Sequence, residues 1–128
     1  LVWHLQGAFP GREIEPLPFD AGVFRELLRS TDLLVNTTSI GMAHGPSPDT
    51  SPVPVDAIRP GLVVYDLVYN PAETPLLRAA RLAGATPVEG LPMLIYQGAA
   101  SFTRWTGVEA PVEVMFAHGR RALQARNS

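Results

Sequence analysis

The chain has 128 residues, a formal net charge of -2 and a hydrophobic fraction of 46%, which suit a single globular domain. Its 10 basic residues are all arginine and face 12 acidic residues, so the basic surface expected of a nucleic-acid or anionic-membrane binder is missing. The absence of cysteine excludes disulfide scaffolds and thiolate metal sites. No apolar run reaches the roughly 20 residues that a membrane-spanning helix needs.

The first part of the chain predicts short elements. Its opening pattern is typical of the end of a helix that stops around residues 7–11. Because the chain begins in the middle of this pattern, we expect it to be a piece of a longer protein. Residues 13–17 favour a short strand, which their proline confines to a sheet edge or end. Asp20 is a candidate N-cap for a helix with an apolar face over residues 23–28. The apolar run at 32–36 predicts a buried parallel strand.

The middle of the chain predicts a loop, two further strands and a helix. Residues 41–60 contain five prolines and predict a long surface loop. The β-branched run at 62–69 predicts a second strand. Thr74, followed by proline, predicts the start of a helix that ends at Gly84, and residues 85–88 favour a third short strand.

Two helices close the chain with no strand between them. Apolar spacing predicts one from Leu91 to Trp105 and another after Pro111. The alternation of strands and helices before them predicts an α/β fold with a parallel sheet. Because each closing helix has an apolar stripe, we expect self-association through Trp105, Met115 and Phe116, or packing of both helices onto the chain's own sheet.

Candidate ligand-binding residues follow the two central strands. Asn36, Thr38 and Ser39 come after the first buried strand, and ligands of open α/β sheets bind outside the carboxyl ends of strands. The alternative is a turn whose side chains bond their own backbone. Tyr69 ends the next strand. Its hydroxyl either hydrogen-bonds a ligand there or is the solvent-exposed end of a half-buried side chain that only packs.

Two further candidates belong to the segment that begins at residue 90. Gly90 precedes a helix, so it either allows close backbone approach to a ligand or makes a tight turn. Gln97 lies on the polar face of that helix, where most glutamines are solvated. The histidines, His4, His44 and His118, lack metal-ligand spacing, so no metal site is predicted. The chain has no GxGxxG or P-loop motif.

Three segments carry a family resemblance. They are DLLVNTTSIGM at 32–42, YDLVYNPAETPLL at 65–77 and GLPMLIYQGAASFTRWTG at 90–107. In this order they resemble the shikimate dehydrogenase family over nearly the whole chain. The resemblance implies a cytoplasmic oxidoreductase of aromatic amino-acid biosynthesis, which reduces 3-dehydroshikimate to shikimate with NADPH.

The resemblance also implies a division of the chain. Residues 1–90 would be the C-terminal half of a Rossmann-like NADP-binding domain, and residues 91–128 would be helices that pack on a substrate domain outside this chain. The family's glycine-rich loop and its catalytic lysine and aspartate would lie upstream, which agrees with the absence of lysine here. We therefore expect no catalytic residue in this chain and no activity from it alone.

The resemblance assigns site residues by their match to the family's motifs. The residues implied to contact NADP are of two kinds: Asn36, Thr38 and Ser39 belong to a loop that would line the cofactor groove, and Leu67 and Gly90 would contact the nicotinamide end. The residues implied to hydrogen-bond shikimate are Tyr69 and Gln97. The implied partner is a small-molecule substrate, with no nucleic acid or membrane, and a homodimer is a further expectation. Two alternatives remain: an NAD-preferring quinate/shikimate dehydrogenase, and a non-catalytic ligand-binding or interaction domain of the same fold.

Overall fold

A three-stranded parallel sheet forms the centre of the chain in a computed structural model, which describes residues 1–126. The strands are β1 (Leu33–Asn36), β2 (Val63–Asp66) and β3 (Thr86–Val88), and β2 lies in the middle. Asn36 and Asp66 are direct partners at the carboxyl ends of β1 and β2. This arrangement confirms the predicted α/β fold with a parallel sheet.

The helices surround and extend this sheet. They are α1 (Val2–Ala8), α2 (Ala21–Leu27), α3 (Pro75–Leu82), α4 (Leu91–Thr106) and α5 (Val112–Arg126), with a short 3-10 helix at Val55–Ala57. Both predicted N-caps are confirmed. A carboxylate oxygen of Asp20 accepts hydrogen bonds from the first turn of α2, and the hydroxyl of Thr74 accepts one from the Leu77 amide at 3.2 Å.

Two predicted strands differ from the structure. The strand at 13–17 is wrong, because this segment is irregular and mostly exposed, and its proline and the one that follows lack amide donors for a ladder. The strand predicted at 62–69 pairs only as far as Asp66. Beyond that point the Val68 amide donates to the Asp66 carboxylate at 3.0 Å instead of to a neighbouring strand.

Two hydrophobic clusters stabilise the fold. The first lies between the sheet, α3 and the proline-rich loop, and its buried members are Leu28, Val53, Ile58, Leu62, Val64, Leu76, Ala80 and Ala85. Val53 and Ile58 belong to residues 41–60, which the sequence predicts as a surface loop. Gly41 and Pro52 of this segment are buried as well, so the prediction is wrong at these four positions. Residues 48–50 of this loop are exposed, whereas Val53 and Ile58 complete the core.

The second cluster lies between α4 and α5. Leu91, Ile95 and Leu123 are its buried members, and Met115 and Phe116 pack against them. The two helices therefore bury much of their apolar surface against each other. Trp105 lies outside this cluster and is 83% exposed. None of the helices within residues 1–126 combines the length and apolar character that a bilayer crossing requires.

Arg59 fastens the end of α2 to the start of β1. Its guanidinium donates to the backbone carbonyls of Leu28 at 3.0 Å and Thr31 at 2.7 Å.

We expect Arg59→Met to lower the free energy of unfolding by about 1.5–3 kcal/mol, because these carbonyls lose a charged donor. Urea denaturation measures the change. The matched control is Arg29→Met, which removes an exposed ion pair with Glu26. This variant should lose less than about 0.5 kcal/mol of unfolding free energy. Equal losses in the two variants would contradict the stabilising role of Arg59.

Candidate functional site

A buried hydrogen-bond network joins the carboxyl ends of β1 and β2. The side-chain amide of Asn36 donates to Oδ1 of Asp66 at 2.9 Å. The two residues are 3% and 0% exposed, so this bond is shielded from water. The network fixes the two strand ends, and the segments that leave them, relative to each other.

On the β1 side, the Asn36 side chain shapes the turn that follows. Its Oδ1 accepts from the Thr38 amide at 3.0 Å and from the Thr38 hydroxyl at 2.7 Å, and its Nδ2 also donates to the Ile40 carbonyl at 3.3 Å. These bonds use the hydrogen-bonding capacity of the Asn36 amide group. The self-bonded turn that the sequence left as an alternative is thus present, and it leaves Thr38 and Ser39 exposed.

On the β2 side, Asp66 holds three donors. Besides Asn36, its Oδ1 accepts from the Val68 amide, and its Oδ2 accepts from the Thr74 hydroxyl at 2.6 Å. Thr74 is fully buried and caps α3, so the carboxylate also connects the strand end to that helix. Sequence reasoning missed this role of Asp66. The available signal was a carboxylate in an otherwise apolar strand, at the position that matches Asn36 one strand earlier.

The start of α4 presses directly against the end of β2. A Cβ atom added at Gly90 would lie 2.6 Å from the Leu67 carbonyl oxygen and 2.7 Å from that of Asp66. The φ angle of Gly90 is -80°, which any residue adopts, so the glycine is required by space alone. The structure therefore brings together Leu67 and Gly90, the two residues expected at the nicotinamide end of the cofactor.

A cavity of about 440 Å³ opens beside this contact. It lies between the end of β2, the start of α4 and the last turns of α5, and its lining comprises Tyr69, Ala72, Glu89, Gly90, Leu91, Arg120, Leu123 and Gln124. The Tyr69 ring packs against the α4–α5 cluster. Sequence reasoning missed Glu89 and Arg120 as lining residues. Arg120 is far from Gly90 in the sequence and reaches this place because α5 returns along α4.

The other predicted site residues lie apart from this cavity. Asn36 and Thr38 line a separate groove of about 580 Å³ together with Phe19 and Phe24. The Asn36–Asp66 hydrogen bond connects this groove to the end of β2. Gln97 is exposed and lines neither of them, because α4 buries the face that carries Leu91, Ile95 and Ala99. Its role in substrate binding stays a prediction.

Comparisons with known proteins agree with this geometry. The family described as "Shikimate 5'-dehydrogenase C-terminal domain" matches residues 90–115. A shikimate dehydrogenase (NADP(+)) of Methanosarcina acetivorans is 52% identical over 101 residues, which are 79% of this chain and 35% of that protein. The chain matches the C-terminal portion of the shikimate dehydrogenase family. It thus spans about a third of the length of this relative.

Solved structures of the shikimate dehydrogenase family and its neighbours share the fold. The Thermus thermophilus shikimate 5-dehydrogenase, in complex with NADP(H) and shikimate, gives a TM-score of 0.71 at 36% identity and covers 86% of this chain and 39% of that one. The Corynebacterium glutamicum quinate dehydrogenase, in complex with NAD, gives 0.74 at 32% identity and covers 89% and 39%. The parallel sheet with its closing helices is therefore the Rossmann-like α/β arrangement of these enzymes.

Proposed function

We propose that this chain forms the nicotinamide- and substrate-contacting edge of an NADP-dependent shikimate dehydrogenase, which interconverts 3-dehydroshikimate and shikimate. The observation that carries the proposal is the backbone contact between Leu67 and Gly90, at the border of a cavity that Tyr69 also lines. The relatives named above support the cofactor and the substrate. Because the chain covers only part of those proteins, activity belongs to the full-length protein in which these residues occur.

The residues present fit a nicotinamide ring. A cavity of about 440 Å³ lies within the usual range for small-molecule sites, roughly 300–1,000 Å³. The missing side chain of Gly90 lets α4 begin directly against the Leu67 carbonyl, so the junction of β2 and α4 lies at the cavity that Gly90 lines. Bound NADP supplies the hydride chemistry. Leu67 and Gly90 would hold the ring in place. The turn that Asn36 shapes, with Thr38 in the groove and Ser39 exposed beside it, would face the rest of the cofactor.

Tyr69 would orient the substrate. Its ring is held by the α4–α5 cluster, so the hydroxyl has a fixed place beside the cavity. A phenolic hydroxyl both donates and accepts, which suits a polyhydroxylated ring. The Gln97 amide would add a second contact from α4. Accurate orientation of bound reactants lowers the reaction barrier by several kcal/mol, while the proton transfer itself would use the lysine expected outside this chain.

Tyr69→Phe tests the substrate role directly. The change keeps the packed ring and removes only the hydroxyl, so we expect a loss of about 1–3 kcal/mol in shikimate binding, with NADP affinity nearly unchanged. Fluorescence titration of the full-length protein with each ligand measures both dissociation constants. The control is Tyr96→Phe, whose ring packs on Phe116 at 5.4 Å and whose side chain does not line the cavity. A similar loss for both ligands, or in both variants, would refute the role of Tyr69.

Quinate with NAD is the second candidate pair, favoured by the quinate dehydrogenase neighbour at a TM-score of 0.74. Steady-state kinetics of the full-length protein with shikimate or quinate, each with NADP or NAD, separates the candidates. We expect the largest kcat/KM for shikimate with NADP. A larger value for quinate with NAD would favour the second candidate. Binding without turnover of either pair would favour a non-catalytic domain.

A further inference from the structure

Asp66 is a buried carboxylate to which the proposed chemistry gives no role. It is 0% exposed and accepts hydrogen bonds from Asn36, Val68 and Thr74. A buried carboxylate is costly unless it is hydrogen-bonded, and its donors would in turn be left unsatisfied without it. Two of the three donors belong to the segments that border the groove and the cavity, so the carboxylate links these segments as well as stabilising the fold.

The two carboxylate oxygens have different partners. Oδ1 faces the candidate site: it binds the Asn36 amide at 2.9 Å and the Val68 amide at 3.0 Å. Oδ2 faces α3, and among residues 1–126 the Thr74 hydroxyl is its one hydrogen-bond donor. Oδ1 thus joins the turn of the cofactor groove, which Asn36 shapes, to the Leu67–Tyr69 segment that borders the cavity. Oδ2 anchors α3, which lines neither the groove nor the cavity.

We propose that Asp66 is a positioning residue that couples the cofactor groove to the substrate cavity through its Oδ1 atom. This inference rests on the proposed function. The coupling follows from geometry. The Asn36 side chain and the Val68 amide donate to the same atom, Oδ1 of Asp66, so a displacement of the turn at Asn36 is passed to Val68. Val68 lies between Leu67 and Tyr69 in the sequence. A ligand that orders one segment therefore orders the other, and each ligand raises the affinity for its partner.

Two variants should disturb stability without disturbing the coupling. In Asp66→Asn, the remaining oxygen stays toward Asn36 and Val68, because the flipped amide would set its NH₂ group against two donors. Its NH₂ group then faces the Thr74 hydroxyl, which can accept. In Thr74→Val only the bond to α3 and the α3 cap are lost. We expect a lower Tm in both, with dissociation constants within about twofold of wild type, a shift of less than about 0.5 kcal/mol.

Two other variants should break the coupling itself. Asp66→Ala removes the shared acceptor. Asn36→Leu removes the donor on the cofactor side and leaves the Asp66 bonds to Val68 and Thr74 in place, so it carries the test if Asp66→Ala fails to fold. With saturating NADP present, we expect both to raise the dissociation constant for shikimate at least about fivefold, the lower end of typical coupling effects. A purely local effect of Asn36→Leu on its own groove would raise the dissociation constant for NADP but leave the gain in shikimate binding intact once NADP is saturating.

Titrations of the full-length protein with shikimate and NADP, alone and together, test the proposal at a temperature well below every Tm. The expected result is tighter shikimate binding in the presence of NADP for wild type, Asp66→Asn and Thr74→Val, and loss of this gain in Asp66→Ala and Asn36→Leu. An unchanged gain in the last two would overturn the inference and leave the proposed function intact. Failure of both to fold would assign the network to stability alone and overturn it too. If wild type binds neither ligand, the proposed function itself fails.

Discussion

Gly90→Ala should reduce the kcat/KM of the proposed shikimate dehydrogenase reaction, measured with the full-length protein, about 100-fold, the effect that a misplacement of roughly 1 Å has on catalysis. The added Cβ would lie 2.6 Å from the Leu67 carbonyl oxygen and 2.8 Å from its carbonyl carbon, and these are backbone atoms that cannot rotate away. The start of α4 must therefore move off the end of β2, at the junction proposed for the nicotinamide. We also expect a loss of about 1–3 kcal/mol in stability from overpacking.

Gly98→Ala is the matched control for this effect, two turns further along α4. The nearest atom to its added Cβ would be the terminal methyl group of Met115 at 3.3 Å, which can rotate away. Alanine favours a helix interior over glycine by about 1 kcal/mol, so this variant should keep its activity and gain slightly in Tm. Steady-state kinetics and thermal denaturation measure both variants. Comparable activity in Gly90→Ala and wild type would show that the tight junction has no functional role.

Residues 1–128 expressed alone should show no oxidation of shikimate with NADP or NAD. The chain contains no lysine, and the resemblance places the catalytic lysine and the glycine-rich cofactor loop outside it. The effect is expected to be complete, because the chain would lack the glycine-rich cofactor loop and the substrate domain in addition to the lysine, whose role in proton transfer would alone account for about 10²–10⁴-fold.

The assay needs protein from a host that lacks its own shikimate dehydrogenase, since traces of a host enzyme would imitate activity. The full-length protein prepared in the same way is the positive control. Circular dichroism should show that the isolated chain contains helix and strand, so that inactivity is not mistaken for unfolding. Turnover by the folded chain would require a proton donor within these residues and would contradict the placement of the catalytic groups.

Local sequence signals predicted the elements whose ends are set by their own side chains. Asp20 and Thr74 cap α2 and α3 as expected, since a cap needs only a few neighbouring residues. The β-branched and apolar runs predicted the paired parts of β1 and β2, because buried parallel strands have few polar residues.

The signals failed where a partner distant in the sequence decides the outcome. Residues 13–17 have a strand-like pattern but find no neighbouring strand within the part of the chain that the structure describes. Val53 and Ile58 look like loop residues among prolines, yet they are 5% and 6% exposed because the loop folds back on the sheet. Periodicity contains no information about such a return.

The candidate site shows the same division. The resemblance implies that Leu67 and Gly90 both contact the nicotinamide end of the cofactor. The structure brings the start of α4 against the Leu67 carbonyl, and the contact with the cofactor stays a prediction. The family motifs did not predict the contribution of Arg120, which depends on how α5 returns along α4. They also gave no role to Asp66, because its three donors come from two strand ends and a helix cap.

A crystal structure of the full-length protein with NADP and shikimate is the most direct test of the proposed site. The expected result places the nicotinamide ring in van der Waals contact with Leu67 and Gly90, and a shikimate oxygen within hydrogen-bond distance, roughly 2.5–3.0 Å, of the Tyr69 hydroxyl. A nicotinamide ring bound away from the junction of β2 and α4, or a substrate that makes no contact with this chain, would contradict it.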